Sequence, residues 1–130
     1  MLAKTPIVLE TEGLGRKTFH GHTILLVDRH TASAAEMIVA FARENSLATI
    51  VGEPTAGRLL SATSVKVGNG YRLALPTGAY YTWKGSVLEG TPIAPDEAVG
   101  FEWRGRRLGI DAQLQEAIQL LGRDLARRAG

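Results

Sequence analysis

The sequence predicts an α/β domain built on a parallel βαβ unit, and three stretches carry that prediction. Thr23 to Val27 and Leu47 to Val51 are short, mostly apolar runs. Such runs are expected of strands covered on both faces. Between them, Ala34 to Ala42 is apolar at nearly every position, and no polar face emerges before Arg43-Glu44-Asn45. That pattern predicts a largely buried helix. A strand, a helix and a strand with short joints place the two strands in parallel.

The remaining elements follow in order. Ile7-Val8-Leu9 is a short strand candidate, Glu12 to Gly15 a glycine-rich loop, and His20-Gly21-His22 a turn. Asn45-Ser46 can end the helix. Gly52-Glu53-Pro54-Thr55-Ala56-Gly57 is a loop at the carboxyl end of the second strand. Ligands of parallel sheets gather at those ends, so Ser33 and the loop running to Arg58 are expected to be neighbours. Ser64 to Val67 and Tyr71 to Leu75 flank Gly68-Asn69-Gly70, a hairpin signal. Ala79 to Trp83 reads as a further strand and Leu88 to Asp96, with two prolines and a glycine, as an irregular loop. Phe101-Glu102-Trp103 and Arg106-Arg107-Leu108 flank Gly105 as a small turn or hairpin. Asp111 to Leu121 closes the chain's pattern as a helix, with Asp111 as N-cap and Leu114, Ala117, Ile118 and Leu121 on one face.

Composition narrows the function classes. The 130 residues suffice for one domain with a modest core. A net charge of +2, with arginines gathered at Arg104, Arg106, Arg107, Arg123, Arg127 and Arg128, reads as a solvated face and not as a nucleic-acid site. With no cysteine there is no disulfide, no thiolate catalysis and no cysteine-ligated metal. His20, His22 and His30 lack metal-binding spacing, and no apolar run has the length of a membrane span.

Thr31-Ala32-Ser33-Ala34-Ala35-Glu36 is the most informative stretch. It sets a serine at a strand-to-helix junction, where free N–H groups and the positive end of the helix dipole are concentrated. Backbone N–H groups there can stabilise the oxyanion formed when a hydroxyl attacks a carbonyl, which makes Ser33 a candidate nucleophile. Ser33-x-x-Glu36 ahead of an apolar run is equally a capping box, which needs no chemistry. The two roles compete, because a hydroxyl bonded to the N–H three residues on is not free to attack.

Three motifs in order resemble those of the tail-specific, or C-terminal-processing, serine proteases. They are Thr31 to Glu36, Ile50-Val51-Gly52-Glu53-Pro54-Thr55-Ala56-Gly57, and Leu88-Glu89-Gly90-Thr91-Pro92-Ile93-Ala94-Pro95-Asp96. That family includes the tricorn core protease and the interphotoreceptor retinoid-binding proteins. The resemblance covers residues 23 to 121 and implies a ClpP/crotonase-like fold: βαβ units in a mainly parallel twisted sheet, with β-hairpins and a C-terminal helix.

The resemblance also assigns residues. Ser33 matches the nucleophile, and the N–H of Ala34 one oxyanion donor. Glu89 matches the supporting glutamate of the tricorn-like branch, in which a histidine is the base. The Ser–Lys branch has its lysine base where this chain has Arg58, and a guanidinium cannot lose its proton at neutral pH. Arg58 is left as a surface charge or a contact to a substrate carboxylate. The family's histidine and its glycine-rich oxyanion segment match nothing here, and His30 is too near Ser33 in sequence. The implied organisation is a single unit over residues 1–130, the C-terminal part of a peptidase catalytic domain, inactive alone.

The implied substrate is a peptide or unfolded protein, with no metal or organic cofactor, no nucleic acid, no membrane span, and a homo-oligomer as an open option. The implied compartment is periplasmic or otherwise extracytoplasmic, or cytoplasmic for the tricorn-like branch. Several residues keep a structural alternative. Glu89 can hold its loop by accepting backbone N–H bonds, Asp96 can form a turn, and Glu53 is expected to be structural. Tyr71, Tyr80, Tyr81 and Trp83 are expected to pack in strands. A second functional reading is a non-catalytic ligand- or peptide-binding module like the retinoid-binding relatives. A third is a structural unit that uses its helix face for self-association.

Overall fold

Two short aliphatic strands, lying side by side, form the centre of the molecule. The computed structural model describes residues 8, 10 and 12–129. After a 3-10 turn at Gly15–Lys17 come β1 (Ile24–Val27), α1 (Ala34–Glu44), β2 (Thr49–Gly52), β3 (Leu60–Gly68) and β4 (Tyr71–Ala79). They are followed by β5 (Glu97–Ala98), α2 (Trp103–Arg107) and α3 (Ala112–Ala129). The main sheet has the order β1-β2-β5, and both pairings are parallel. Ile24 stands opposite Thr49, and Val27 opposite Gly52. The predicted βαβ unit is therefore present, and α1 starts one residue after Ser33. The strand candidate at Ile7-Val8-Leu9 falls on residues of which only Val8 is described, so it lies outside the described structure.

The core sits between α1 and the sheet. Val27, Val39, Ala40, Ile50, Leu59, Leu88 and Ile93 form one buried cluster, with Leu25, Met37 and Tyr80 packed against it. Ile50 and Val51 have no exposed surface, and burying such side chains stabilises the fold by about 1.5–3 kcal/mol each. Side chains alternate across a strand. Ile50 joins the cluster, while Val51 lies outside it, like Ala117 of α3, which is buried. Gly52 ends β2 at φ 134°, and a Cβ there would meet the Val27 carbonyl oxygen at 1.9 Å. Only glycine permits so close a strand approach at that φ.

Asp96 joins the sheet just ahead of β5. Its N–H donates to the Ile50 carbonyl at 2.8 Å, and its carboxylate accepts the Ile50 N–H at 2.9 Å. Glu53 is structural as expected, accepting the Phe101 N–H at 2.9 Å. Asp111 caps α3 through the Leu114 N–H at 3.1 Å.

The hairpin forms where Asn69-Gly70 predicts it. Both residues have positive φ, 49° and 80°, as a two-residue turn of this hand requires. Val65 pairs with Leu73 and Thr63 with Leu75 on one face, Lys66 with Arg72 on the other. The apolar face has no cover among the described residues: Val65, Leu73 and Leu75 are all exposed.

Five expectations need correction. α1 is not largely buried: Ile38 is 62% and Phe41 54% exposed, because its outer flank meets no described residue of this chain. Ala79 to Trp83 is not a strand. After β4 only Tyr81 bridges, to Val87, and a turn closed by the Thr82 N–H on the Ser86 carbonyl takes over. Tyr71, Tyr81 and Trp83 are exposed instead of packed, while Tyr80 alone of the four packs on the core. Residues 103–107 form the short helix α2 around Gly105 and not a hairpin. α3 runs on to Ala129, and Leu114 and Ile118 stand exposed beside the packed Ala117. No helix among the described residues is long and apolar enough to cross a membrane.

Candidate active site

The chain leaves β1 through a tight turn. The Asp28 carboxylate accepts the N–H groups of His30 at 2.9 Å and Thr31 at 3.0 Å, and the Thr31 hydroxyl at 3.3 Å. Partial burial pushes the Asp28 carboxyl upward. The bonds from His30 and Thr31, with the charge of His30, outweigh it and hold its pKa below the ordinary value.

Ser33 follows at φ 58°, ψ −129°. A non-glycine residue there costs on the order of 1–3 kcal/mol and persists only where its surroundings over-determine it. Ser33 is exposed at the carboxyl end of β1, at the amino terminus of α1. Ser33 and Glu36 form a capping box, the Ser33 hydroxyl facing the Glu36 N–H and the Glu36 carboxylate facing the Ser33 N–H. Ala34 is the first helical residue, so its N–H has no partner within the helix. An exposed hydroxyl therefore stands beside a helix-end N–H.

The loop after β2 is bonded to this turn. The Ser33 N–H donates to the Arg58 carbonyl at 2.9 Å, and the Ala56 N–H to the Thr31 carbonyl at 2.9 Å. Glu36, with no exposed surface, accepts four donors. Oε1 takes the Thr55 hydroxyl at 2.6 Å and the Gly57 N–H at 2.7 Å. Oε2 takes the Arg58 N–H at 2.8 Å and the Ser33 N–H at 3.3 Å. Such bonding is what makes a buried carboxylate tolerable, and the helix amino terminus adds to it. Gly57, at φ 65°, lies so close to Pro92 that a Cβ would meet the Pro92 nitrogen at 2.8 Å.

Glu89 lies on the adjoining loop. Its Oε2 accepts the Leu59 N–H at 2.6 Å, while Oε1 has no hydrogen-bond partner among the described residues. The Gly90 N–H donates to the Gly57 carbonyl at 2.9 Å. Ser33, Ala34, Arg58 and Glu89 are thus brought into one bonded cluster of loops. The histidines are not part of it. His30 accepts a bond from Arg29 Nε at 3.3 Å. His22 sits at the opposite end of the sheet, between Asp124 and the Thr49 hydroxyl. Arg58 contributes its backbone groups, and its side chain is exposed with no partner among the described residues.

Sequence reasoning recognised Glu36 only as a cap. The signal for more was there: an acidic residue inside an otherwise apolar helical run, which must find donors from elsewhere once buried.

The mainly parallel β1-β2-β5 sheet with α1 and a C-terminal helix bears out the α/β, ClpP/crotonase-like class that the resemblance implied. The sequence model described as peptidase family S41 matches residues 4–99. The chain belongs to that family of serine peptidases. It is 31% identical over 104 residues to a carboxy-terminal-processing protease of Bartonella bacilliformis, covering 80% of this chain and 24% of the relative. The chain thus spans about a quarter of that relative's length. Among solved structures, a photosystem II D1 C-terminal processing protease is 30% identical, with TM-score 0.54 over 59% of this chain and 20% of that one. The tricorn protease, 21% identical, shares the fold with TM-score 0.73 over 79% of this chain and 10% of that one. These protease names do not favour the alternative of a non-catalytic binding module.

Proposed function

We propose that this chain is the C-terminal part of the catalytic domain of a C-terminal-processing serine peptidase, and that Ser33 is its nucleophile. The observation that carries the proposal is the exposed Ser33, held at positive φ at the strand-to-helix turn beside the Ala34 N–H. The Ser33 hydroxyl oxygen attacks the carbonyl carbon of a peptide, and its proton passes to a base. The Ala34 N–H stabilises the oxyanion. The carbon–nitrogen bond then breaks, the departing amine takes the proton, and water hydrolyses the acyl-enzyme.

The base is a histidine from outside these 130 residues: His22 and His30 have other partners, and His20, like them, has no bond among the described residues to the loops around Ser33. Glu89 has Oε1 available to orient it, in the manner of a triad carboxylate. The uncovered flank of α1 and the uncovered hairpin face support the reading that other parts of the domain pack here. The substrate is a peptide or unfolded segment. The test is to trap the acyl-enzyme of the full-length protein with a slowly hydrolysed peptide ester and map the adduct by mass spectrometry. The adduct is expected on Ser33 and is lost in Ser33→Ala; an adduct on another residue refutes the assignment.

A further inference from the structure

We infer that Glu36 is a positioning residue for the nucleophile, and not merely a helix cap; this rests on Ser33 being that nucleophile. Ser33 is held at φ 58°, a conformation L residues avoid. Something must hold it there. Its N–H is gripped twice, by the Arg58 carbonyl at 2.9 Å and by Glu36 Oε2 at 3.3 Å. The Arg58 carbonyl is a sound anchor only if its own loop is fixed, and Glu36 fixes that loop as well. The same Oε2 takes the Arg58 N–H, and Oε1 takes the Gly57 N–H and the Thr55 hydroxyl.

One fully buried carboxylate therefore joins the nucleophile turn to the loop after β2. A cap needs only the Ser33 N–H. The three donors from residues 55–58 have no part in capping α1. Their convergence sets the distance between the Ser33 turn and position 58, and through Gly57 and Leu59 the place of the Glu89 loop. Displacement of a reacting group by about 1 Å can cost 10²-fold in rate.

Chemistry distinguishes this role from ordinary stability. Glu36→Gln presents an amide NH2 on one side of the group. Whichever way it turns, that NH2 faces a backbone N–H of Gly57, or those of Arg58 and Ser33, and the bond is lost. Ile50→Ala, by contrast, opens the buried core while leaving all four donors to Glu36 in place.

The experiment is fluorophosphonate labelling of Ser33 in the full-length protein, beside thermal unfolding and the Kd of an uncleaved peptide. Glu36→Gln is expected to slow labelling by about 10²-fold with peptide Kd unchanged. Ile50→Ala is expected to lower the unfolding midpoint while labelling at close to the wild-type rate. If Glu36→Gln does not fold, Glu36→Asp, which keeps the charge but not the reach, must show the same split. Wild-type rates in a folded Glu36 variant overturn the role of Glu36 alone. So does equal slowing in Ile50→Ala at a matched fall in midpoint. A wild-type protein that never labels at Ser33 overturns the peptidase reading, and this inference with it.

Discussion

Replacing Ser33 by glycine and by alanine separates backbone strain from chemistry. Both variants lack the hydroxyl, so both are expected to lack activity. Their stabilities should differ. At φ 58°, ψ −129° the Ser33 Cβ is carried in a conformation that glycine adopts freely. Relief of that strain is worth about 1–3 kcal/mol. Against it stands the extra backbone entropy glycine loses on folding, about 0.5–1 kcal/mol. Ser33→Ala keeps the Cβ, and both variants lose the capping hydroxyl alike, so the difference between them comes from the backbone. Ser33→Gly should therefore exceed Ser33→Ala by about 1 kcal/mol, or about 4 °C in unfolding midpoint for a chain of this size. Denaturant unfolding at unchanged m-value measures it. If Ser33→Gly is instead less stable by glycine's usual penalty, Ser33 has an ordinary backbone and the argument for an over-determined turn fails.

Three further outcomes are expected. Arg58→Ala should leave turnover of amide and activated ester within about twofold of wild type, because Arg58 anchors through its N–H and carbonyl and its side chain is exposed; loss of both activities at intact fold and peptide binding would give its guanidinium a part in the chemistry. The Asp28 carboxyl, lowered in the folded state, contributes stability that is present above its unfolded pKa and is lost as pH falls through its folded pKa. Asp28→Asn should thus be less stable at neutral pH and converge with wild type in acid, as an unfolding series against pH would show; parallel curves would contradict the assignment. Ile50→Ala should cost about 2–5 kcal/mol, since the side chain is fully buried in the core cluster, and a loss under 1 kcal/mol by denaturant unfolding would mean that the core has been misplaced.

The parts of this fold set by local pattern were legible in the sequence. Two aliphatic runs around one helical run fixed the parallel unit, and Asn69-Gly70 fixed the hairpin turn. The loop from Gly52 was expected beside Ser33 because both lie at carboxyl ends of parallel strands, and the Ser33 N–H does bond to Arg58. What depended on packing was not legible. Ile38 and Phe41 look like core from hydropathy alone, but burial is decided by what stands opposite, and no described residue does. Tyr80 and Tyr81 are strand formers, yet Gly85 in the following turn lets Thr82 and Ser86 close on each other and end the strand. Within the site, Ser33 at the junction was visible, but its positive φ was not, because Thr-Ala-Ser-Ala carries no glycine to announce it. The buried convergence on Glu36 was hidden for a different reason: its donors come from residues 55–58, about twenty positions away, and a capping box explained the residue locally.

The central claim is that Ser33 is a nucleophile whose base comes from outside these residues. It is tested most directly by exposing the 130-residue chain and the full-length protein, side by side, to a fluorophosphonate probe and to unfolded peptide substrates. The account predicts labelling at Ser33 and peptide cleavage by the full-length protein only, since the chain offers Ser33 no histidine within its bonded cluster. Stoichiometric labelling of the isolated chain at Ser33, with cleavage abolished by Ser33→Ala, would contradict it and place the base within the chain or on a neighbouring copy.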